Sequence, residues 1–355
     1  MSTMKDIATR AHVSIATVSR VFRNNGYVDA RTRKLVLSAA EELDYTPNCY
    51  NKRGRSIARS SSVGIIVPDL NNIFFQEIIH ATDIVLRKHD IDLFICNSDE
   101  DSGREIRYLS AMQELNIGGI IIAPVSETVE YNQELIVRLT RARTPIVLLD
   151  REVAGVKLDG VFQENYKSSI AAVDLFVSNG HTHIATIAGP ITSRPGVERL
   201  NGYLAALKKH NIAVRSEYIL YGDFKVESAY QATRQLLRHH KSVTAIFCAN
   251  NLMALGALRA ISEAGLSVPD DIALISFGSL YRDELEGALP ITVLKQPTVS
   301  MGRSCAEILL NRLNSDSRLK RSDSQRITVS ADIVSEGSER YPTSRLRGPT
   351  RTQVG

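Results

Sequence analysis

The chain has 355 residues, 43% of them hydrophobic, which is too long for one ordinary domain and apolar enough to fill two or three globular cores. It carries no apolar N-terminal run of the signal-peptide kind and no stretch long enough to span a bilayer, so we expect a cytoplasmic protein without a membrane partner. Its four cysteines, at 49, 96, 248 and 305, are far apart, which argues against a disulfide framework or a metal cluster.

The positive charge is concentrated at the N-terminus. Residues 1–62 carry eleven Lys and Arg against five Asp and Glu, a net charge of +6, whereas the rest of the chain sums to −2. A compact basic segment on a near-neutral body is typical of a nucleic-acid binder, because phosphate neutralisation supplies most non-specific affinity. A basic segment that serves only solubility has the same composition, so the charge indicates nucleic-acid binding only if a DNA-binding motif accompanies it.

Two short helices are predicted first, within residues 4–23. Apolar residues recur at helical spacing from Ile7 to Ala11 and again from Val18 to Val21. Ser14 can cap the second helix, and the sharp turn before it uses His12 where Gly or Asn is more usual. The outward side of the second helix carries short side chains and arginines suited to base edges and phosphates, namely Ser14, Ile15, Ala16, Thr17, Ser19, Arg20 and Arg23. An ordinary amphipathic helix pair is the alternative that periodicity alone permits.

A third helix is predicted from Asp29 to Leu43, and a linker follows it. The inward stripe of that helix is expected to comprise Leu35, Val36, Ala39, Ala40 and Leu43. Residues 47–62 lose apolar periodicity, are basic and end in a Ser run, which indicates a hinge or linker. We therefore expect a DNA-binding domain in residues 1–46, with Lys52, Arg53 and Arg55 of the linker available to DNA.

The body begins near Val63, where short β-branched runs alternate with amphipathic helical stretches. This alternation is the βαβ pattern, and continuous apolar runs such as VGIIV and PIVLL predict strands covered on both faces by helices. The expected fold class is an all-α helix-turn-helix head plus an α/β body of two parallel-sheet lobes. A ligand is expected where the carboxyl ends of strands meet. Residues 339–355 end in a Pro-, Gly- and Arg-rich run and are expected to be disordered.

In combination, these segments resemble the LacI/GalR family of bacterial transcription regulators over residues 4 to about 338. KDIATRAHVSIATVSRVFRN is similar to the family's DNA-reading signature and YTPN to the start of its hinge. VGIIVPDLNNIFFQEI resembles the first body strand and pocket loop, and AIFCANNLMALGALRAISEAGLSVPDDIALISF resembles the core segment. The resemblance implies a body with the fold of periplasmic sugar-binding proteins. It also implies that lobe 1 comprises residues 63–163 and 296–314, and lobe 2 residues 164–295 and 315–338.

The resemblance further implies partners and DNA contacts. We expect a homodimer, or a dimer of dimers, on an inverted-repeat operator in double-stranded DNA, with first-lobe helices near residues 75–87 and 106–115 at the dimer interface. By match to the motif, Ile15, Ala16 and Arg20 meet base edges, and Arg20 is suited to guanine. The hinge departs from the family, because Gly54 stands where a leucine wedges into the minor groove. Either Ile57 supplies that wedge in a shifted register, or the segment is a plain basic linker.

Candidate effector residues lie at the predicted strand ends, where aromatic faces and amides suit a polyhydroxylated ring. By match to the family, Arg199 is the arginine that clamps the ligand, and one of Phe74 and Phe75 is expected to face the core. The full set is Asn72, Phe74, Phe75, Asp150, Arg151, Ser193, Arg194, Arg199, Phe224, Asn250, Asn251 and Gly278. Asn251 and Gly278 stand where the family commonly has carboxylates. We therefore hypothesise a less acidic pocket that takes an anionic sugar acid or sugar phosphate on Arg199, together with Arg151 or Arg194.

The function predicted is a DNA-binding regulator, expected to be a repressor, of a carbohydrate-utilisation operon under the control of a sugar-like effector. Whether that effector induces or corepresses stays open, since the same fold serves both. The main alternative is a transport-type solute-binding protein. An enzyme is not expected, because the sequence has no nucleophile elbow, Walker loop or metal-ligand cluster. No cofactor and no metal are predicted.

Overall fold

The computed structural model describes residues 4–23, 28–43, 62–125, 130–281, 290–314 and 323–343. The chain divides into two compact units at residue 62, which we call the head and the body and describe separately. The side chain of Arg23 and the linker positions Lys52, Arg53, Gly54, Arg55 and Ile57 lie outside the described residues. The roles predicted for them therefore stay predictions.

The head contains three helices, α1 Met4–Arg10, α2 Ile15–Arg23 and α3 Ala30–Glu42. Their shared core consists of small and β-branched side chains, namely Ile7, Ala8, Ala11, Val18, Val21, Val36, Ala39 and Ala40. Leu35, which was expected to face inward, is instead 50% exposed, whereas Val36 is fully buried. The reason is helical geometry, because Val36, Ala40 and Leu43 define the centre of the apolar stripe and Leu35 falls at its edge.

The turn between α1 and α2 depends on His12. Its φ of 51° lies in the left-handed region, which non-glycine residues adopt only at a cost. The backbone N–H of Val13 donates to the carbonyl of Ala8 at 3.0 Å, and that of His12 donates to Thr9. These two bonds satisfy the last carbonyls of α1 and end the helix sharply.

Twelve strands and eight helices make up the described part of the body. The strands are β1 Ser62–Val67, β2 Asp92–Asn97, β3 Gly119–Ile122, β4 Ile146–Leu149, β5 Asp159–Gln163, β6 Ile184–Ala188, β7 Ile219–Tyr221, β8 Ala245–Cys248, β9 Ala273–Phe277, β10 Thr292–Lys295, β11 Arg326–Val329 and β12 Asp332–Val334. The helices are α4 Ile73–Arg87, α5 Ser102–Glu114, α6 Glu130–Arg141, α7 Asn165–Ser178, α8 Arg194–Lys209, α9 Val226–His239, α10 Asn251–Glu263 and α11 Thr298–Asn314, with a 3₁₀ turn at Ser216–Tyr218.

These strands form two six-stranded sheets, one in each lobe. The sheet of lobe 1 has the order β11-β5-β4-β3-β1-β2 and is entirely parallel. The sheet of lobe 2 has the order β12-β10-β9-β8-β6-β7, and only the β10–β12 pair is antiparallel. Helices cover both faces of each sheet, so the central strands are buried from end to end and read as continuous apolar runs. The predicted two-lobed α/β class is confirmed.

Helices α4 and α11 pack closely on one face of lobe 1. Gly302 of α11 lies against α4, where a Cβ atom would come within 2.4 Å of the carbonyl oxygen of Ile78. The absence of a side chain at residue 302 therefore sets the distance between the two helices.

Along the described strands and helices the chain passes between the lobes three times: after β5, after β10, and between β11 and β12. Residues 315–338 were expected in lobe 2, but β11 belongs to the sheet of lobe 1, where Ile327 pairs with Val161. A half-buried four-residue strand carries too little pattern to indicate its partner from sequence.

Residues 339–343 were expected to be disordered, but the structure orders them against lobe 2. Glu339 is buried, its carboxylate is hydrogen-bonded to Thr292, and its backbone carbonyl lies 3.1 Å from Nε2 of His181. Within the described ranges, no helix has both the length and the apolar character needed to cross a membrane.

Candidate functional site

The outward face of α2 carries the residues predicted to read DNA. Ser14 caps the helix, because its Oγ accepts the backbone N–H of Thr17 at 3.1 Å. Ile15 is 50% exposed, and Ala16 and Arg20 are also exposed, whereas Thr17 and Ser19 are half-buried. Short side chains at the start of the helix and a long cation one turn later form a face that can approach a groove edge closely.

A cleft between the two lobes brings together the ends of strands and the starts of helices. It is lined by Asp69, Asn72, Phe74, Phe75, Glu100, Asp150, Arg151, Pro195, Arg199, Asp223, Phe224, Lys225, Asn250, Asn251, Phe277 and Gln296. Nine of the twelve predicted effector residues are among them. The cavity is open to solvent and measures about 40 Å³, which leaves room for a few water molecules. A ligand of sugar size needs more space than this arrangement provides.

Arg199, at the second turn of α8, is buried beside the cleft. Its Nε donates to Oδ1 of Asn165 at 2.8 Å, and its Nη1 donates to the carbonyl of Ala249 at 2.7 Å. Its Cζ atom lies 3.7 Å from the centroid of the Phe277 ring. Burial lowers the pKa of Arg199 to about 10, with the charge of Asp150 acting in the opposite direction, so the side chain stays cationic at neutral pH. Its Nη2 makes no hydrogen bond to a described residue.

Asp150 is the first residue after β4 and is only 7% exposed. Its Oδ1 is buried and lacks a hydrogen-bond partner among the described residues. Burial raises the pKa of the carboxyl group above its ordinary value, although the charges of Arg199 and Arg151 oppose that shift. Its φ of 60° places the residue in the left-handed region, so β4 ends in a strained turn at the cleft.

Arg151 follows directly and is 4% exposed. Its Nη1 and Nη2 donate to the two carboxylate oxygens of Glu100 at 2.8 and 2.7 Å, and Nη1 also reaches the carbonyls of Pro124 and Val125. Burial lowers the pKa of Arg151, but the hydrogen bonds and charge of Glu100 outweigh it, so the pKa lies above its ordinary value. The Cζ atom lies 5.9 Å from the centroid of the Phe224 ring, which belongs to lobe 2.

Amide side chains connect the lobes across the cleft. The Oδ1 of Asn72 caps α4 by accepting the N–H of Phe74, and it also accepts Nδ2 of Asn251 at 3.0 Å. Nε2 of Gln296, which follows β10 of lobe 2, donates to Oε1 of Gln163, the last residue of β5 in lobe 1, at 2.8 Å. Asn72 and Asn251 therefore link the two lobes, whereas Nδ2 of Asn250 donates to the carbonyl of Phe224 within lobe 2.

Phe74 and Phe75 both line the cleft and are both part of the lobe 1 core. Their ring centroids are 4.9 Å apart in an edge-to-face arrangement, and each side chain is buried. The expected division into one pocket residue and one core residue is therefore not found.

Ser193, Arg194 and Gly278 are the predicted effector residues that do not line the cleft. Arg194 forms ion pairs with Glu198 of its own helix and with Glu152 of lobe 1. Ser193 is buried at the start of α8, and Gly278 has a φ of 95°.

Seven lining residues were absent from the predicted set, namely Asp69, Glu100, Pro195, Asp223, Lys225, Phe277 and Gln296. With Asp150, they give the described lining four carboxylates against three cations. The reduced acidity expected from Asn251 and Gly278 stays a prediction. Most of the seven residues follow β1, β2 or β7 within a few positions. Their position just after a strand is the sequence feature that could have identified them. Among the described residues, no group of three or more His, Cys, Asp or Glu side chains is arranged to hold a metal ion.

Both the head and the body match families of known proteins. The family described as "Bacterial regulatory proteins, lacI family" matches residues 3–48, and "Periplasmic binding proteins and sugar binding domain of LacI family" matches residues 60–334. The HTH-type transcriptional repressor PurR of Pectobacterium carotovorum subsp. carotovorum (strain PC1) is 32% identical over 340 residues, covering 95% of this chain and 97% of that protein. The PurR repressor of Aliivibrio salmonicida (strain LFI1238) is 30% identical over 88% of this chain and 92% of that protein.

Two solved structures have similar folds. A transcriptional regulator CelR–cellobiose complex superposes with a TM-score of 0.69 at 27% identity, covering 95% of this chain and 100% of that one. A lac repressor dimer bound to operator and the anti-inducer ONPF gives a TM-score of 0.68 at 24% identity, covering 96% of this chain and 99% of that one. At 24% identity, the lac repressor structure shows similarity of fold alone.

Proposed function

Because this chain belongs to the LacI family of transcriptional repressors, which combine a DNA-binding domain with a ligand-binding domain, we propose that it represses a carbohydrate-utilisation operon under effector control. In this proposal α2 reads one half of an inverted-repeat operator, and a homodimer or a dimer of dimers supplies the other half. The protein works in the cytoplasm, where the DNA is, and performs no catalysis. The proposal depends on one observation, that a single chain has both a DNA-reading helix and a ligand cleft. Helix α2 is capped by Ser14 and exposes Arg20, and the cleft contains buried polar atoms that have no hydrogen-bond partner among the described residues.

The effector proposed for the cleft is a sugar-like molecule with a single anionic group, such as a sugar acid or a sugar phosphate. Arg199 supports this choice, because its charge is buried and its Nη2 is not used by the described residues. Arg151 is not available for the same task, since Glu100 already occupies both of its terminal nitrogens. A neutral sugar is the second candidate, supported by the acidic lining and by the cellobiose bound in the CelR complex.

Effector binding would act on DNA affinity through linkage between the two sites. The cavity in the present arrangement is too small for such a molecule, so occupancy changes the separation of the lobes. A coupling free energy of about 1–3 kcal/mol is the usual size of such an effect. If the lobe separation that the effector induces lowers the affinity for DNA, the effector releases the operator. If that separation raises the affinity, the effector strengthens operator binding.

DNA binding is tested with a gel shift of the full chain on the duplex upstream of its own operon, at low and high salt. We expect salt-sensitive binding, and we expect Arg20→Ala to cost about 1–3 kcal/mol on the cognate duplex while barely changing affinity for unrelated DNA. Arg31→Ala, on the exposed side of α3, is the matched control. An equal loss on both duplexes would make Arg20 a phosphate contact. A wild type that ignores every duplex at low salt would favour a transport-type solute-binding protein.

The effector class is tested by calorimetry with D-glucose, cellobiose, D-gluconate and D-glucose 6-phosphate, and with adenine as a flat-ring compound that carries no hydroxyl groups. Binding of gluconate or glucose 6-phosphate in preference to glucose supports the anionic assignment. Tight binding of neutral sugars with none of the acids or phosphates removes it.

A further inference from the structure

An ion pair bridges the two lobes at the start of α8. Nη1 of Arg194, the first residue of that helix in lobe 2, pairs with Oε2 of Glu152, which lies just after β4 in lobe 1. The two side chains are 43% and 25% exposed, so dissolved salt reaches both of them. The strength of this contact between the lobes therefore depends on the ionic strength.

The other contacts described between the lobes respond little to salt. The hydrogen bonds of Asn72 with Asn251 and of Gln296 with Gln163 join neutral amides. The charges of Arg199 and Asp150 also act across the cleft, but both side chains are buried, and buried charges are screened much less than exposed ones. A salt-dependent change in the separation of the lobes would thus report on the exposed pair.

Glu152 is held in place on lobe 1 by a second cation. Its Oε1 accepts from Nη2 of Arg326 on β11, and the Cζ atom of Arg326 lies 4.3 Å from the centroid of the Phe162 ring. The carboxylate therefore keeps a partner within its own lobe, and one oxygen remains directed at Arg194.

Arg194 is held in the same way on lobe 2. Its Nε donates to Oε1 of Glu198, one turn along α8, at 2.6 Å. Oε2 of Glu198 accepts from Nδ2 of Asn165 at 3.2 Å, and Oδ1 of Asn165 accepts from Nε of Arg199 at 2.8 Å. Because each partner is oriented before the lobes meet, forming the pair costs less side-chain entropy than pairing two mobile side chains. The network ends on the buried cation of the cleft.

We propose that Glu152 and Arg194 form an electrostatic latch that stabilises the closed arrangement of the lobes. This inference goes beyond the proposed function, because it depends neither on an effector nor on DNA. When the lobes separate, each side chain keeps the partner on its own lobe, and the contact that breaks is the one between them. The closed cavity of about 40 Å³ is smaller than a sugar, so the latch opposes the opening that such a ligand requires.

The test is single-molecule fluorescence of the full chain, with probes attached to Lys88 at the end of α4 in lobe 1 and to Lys241 after α9 in lobe 2. At low salt, Glu152→Gln and Arg194→Gln should each lower the ratio of closed to open molecules by about two- to fivefold, the range expected for an exposed ion pair. The double variant should match the single variants, since either substitution alone already removes the pair.

A salt titration of the wild type tests the same contact without any substitution. Raising NaCl from about 0.05 M to about 1 M should bring the wild-type ratio close to that of Glu152→Gln, whereas the variant itself should change little. Lys209→Gln is the matched control, because it breaks an exposed ion pair with Asp174 that lies entirely within lobe 2. It should leave the ratio at its wild-type value.

The proposal is overturned if both single variants keep the wild-type ratio, or if their effects add in the double variant. A wild-type ratio that does not respond to salt overturns it as well, and so does an equal shift in Lys209→Gln. None of these measurements contains DNA or an effector. Their failure is therefore distinct from a failure of the gel shift or of the calorimetry that test the proposed function.

Discussion

The guanidinium of Arg199 lies over the ring of Phe277, with Cζ 3.7 Å from the ring centroid. Asn165 and the carbonyl of Ala249 fix its other side, so the buried cation is held by stacking and by two hydrogen bonds. Its charge is balanced by Asp150, which comes from the other lobe. The two lobes thus share one electrostatic unit at the cleft.

Removing Arg199 should therefore destabilise the body. Arg199→Met keeps apolar contact with Phe277 but removes one of the two cations beside the buried Asp150, for which we expect a loss of about 3 kcal/mol in the free energy of unfolding. Adding Asp150→Asn to the same chain should recover part of that loss. Urea denaturation of both variants measures it, with Arg234→Met as control. A loss below about 1 kcal/mol would contradict the shared-unit account.

Two substitutions of His12 should change the stability of α1 in opposite directions. His12→Gly should stabilise α1 by roughly 0.5 kcal/mol or more, because glycine adopts the left-handed conformation without the Cβ penalty, whereas His12→Val should destabilise it. Amide hydrogen exchange of residues 7–11 in the full chain reports both changes. Faster exchange in the glycine variant than in the wild type would argue against this account.

Asn251→Asp should open the cleft. The asparagine Nδ2 donates to Asn72 and to the carbonyl of Ser279, and an aspartate would set a charged acceptor against both acceptors. We expect a larger distance between probes attached to Lys88 in lobe 1 and Lys241 in lobe 2, measured by single-molecule fluorescence. Asn211→Asp, at an exposed turn of lobe 2, is the control. An unchanged distance would show that other contacts hold the lobes together.

Gly302→Ala tests the close packing of α4 on α11. A Cβ atom at residue 302 would lie 2.4 Å from the carbonyl of Ile78, so the helices must move apart at an expected cost of about 1–3 kcal/mol. Ser300→Ala, on the exposed side of α11, should change the stability little. Urea denaturation compares the two, and equal midpoints would refute the packing argument.

His181 makes the stability of the body depend on pH. Burial lowers the pKa of the imidazole below its ordinary value of 6.5, although the hydrogen bond to the Glu339 carbonyl opposes the shift. The unfolded chain therefore binds the proton first, so the stabilisation is present above pH 6.5 and is lost as the pH falls below that value. An NMR titration of the imidazole should give a pKa below 6.5. His181→Gln should make stability less sensitive to pH between 7 and 5, and an equal sensitivity would refute this assignment.

Sequence patterns predicted the central strands and most helices because those elements are long or entirely apolar. VGIIV and PIVLL lie in fully buried parallel strands, where the apolar run itself is the signal. The same reasoning missed β11, and it placed Leu35 in the core, because at the edge of a sheet or stripe long-range contacts decide burial.

The candidate cleft was predicted in part for a related reason. Residues such as Asp150 and Arg199 follow from strand ends and from the motif, whereas the pairing of Arg151 with Glu100 spans 51 residues and leaves no trace in local spacing. Phe277, which stacks on Arg199, is the last residue of a buried strand and reads in sequence as ordinary core.

The three crossings between the lobes have a consequence for how the gene can be divided. The sheet of lobe 1 is completed by β11, and that of lobe 2 by β12, and these two strands are separated by only two residues near the far end of the body. No single cut in the coding sequence therefore separates the two lobes with all the strands of each. A single crossover in the gene can fall between the head and the body at residue 62, but at any point within the body it divides at least one lobe.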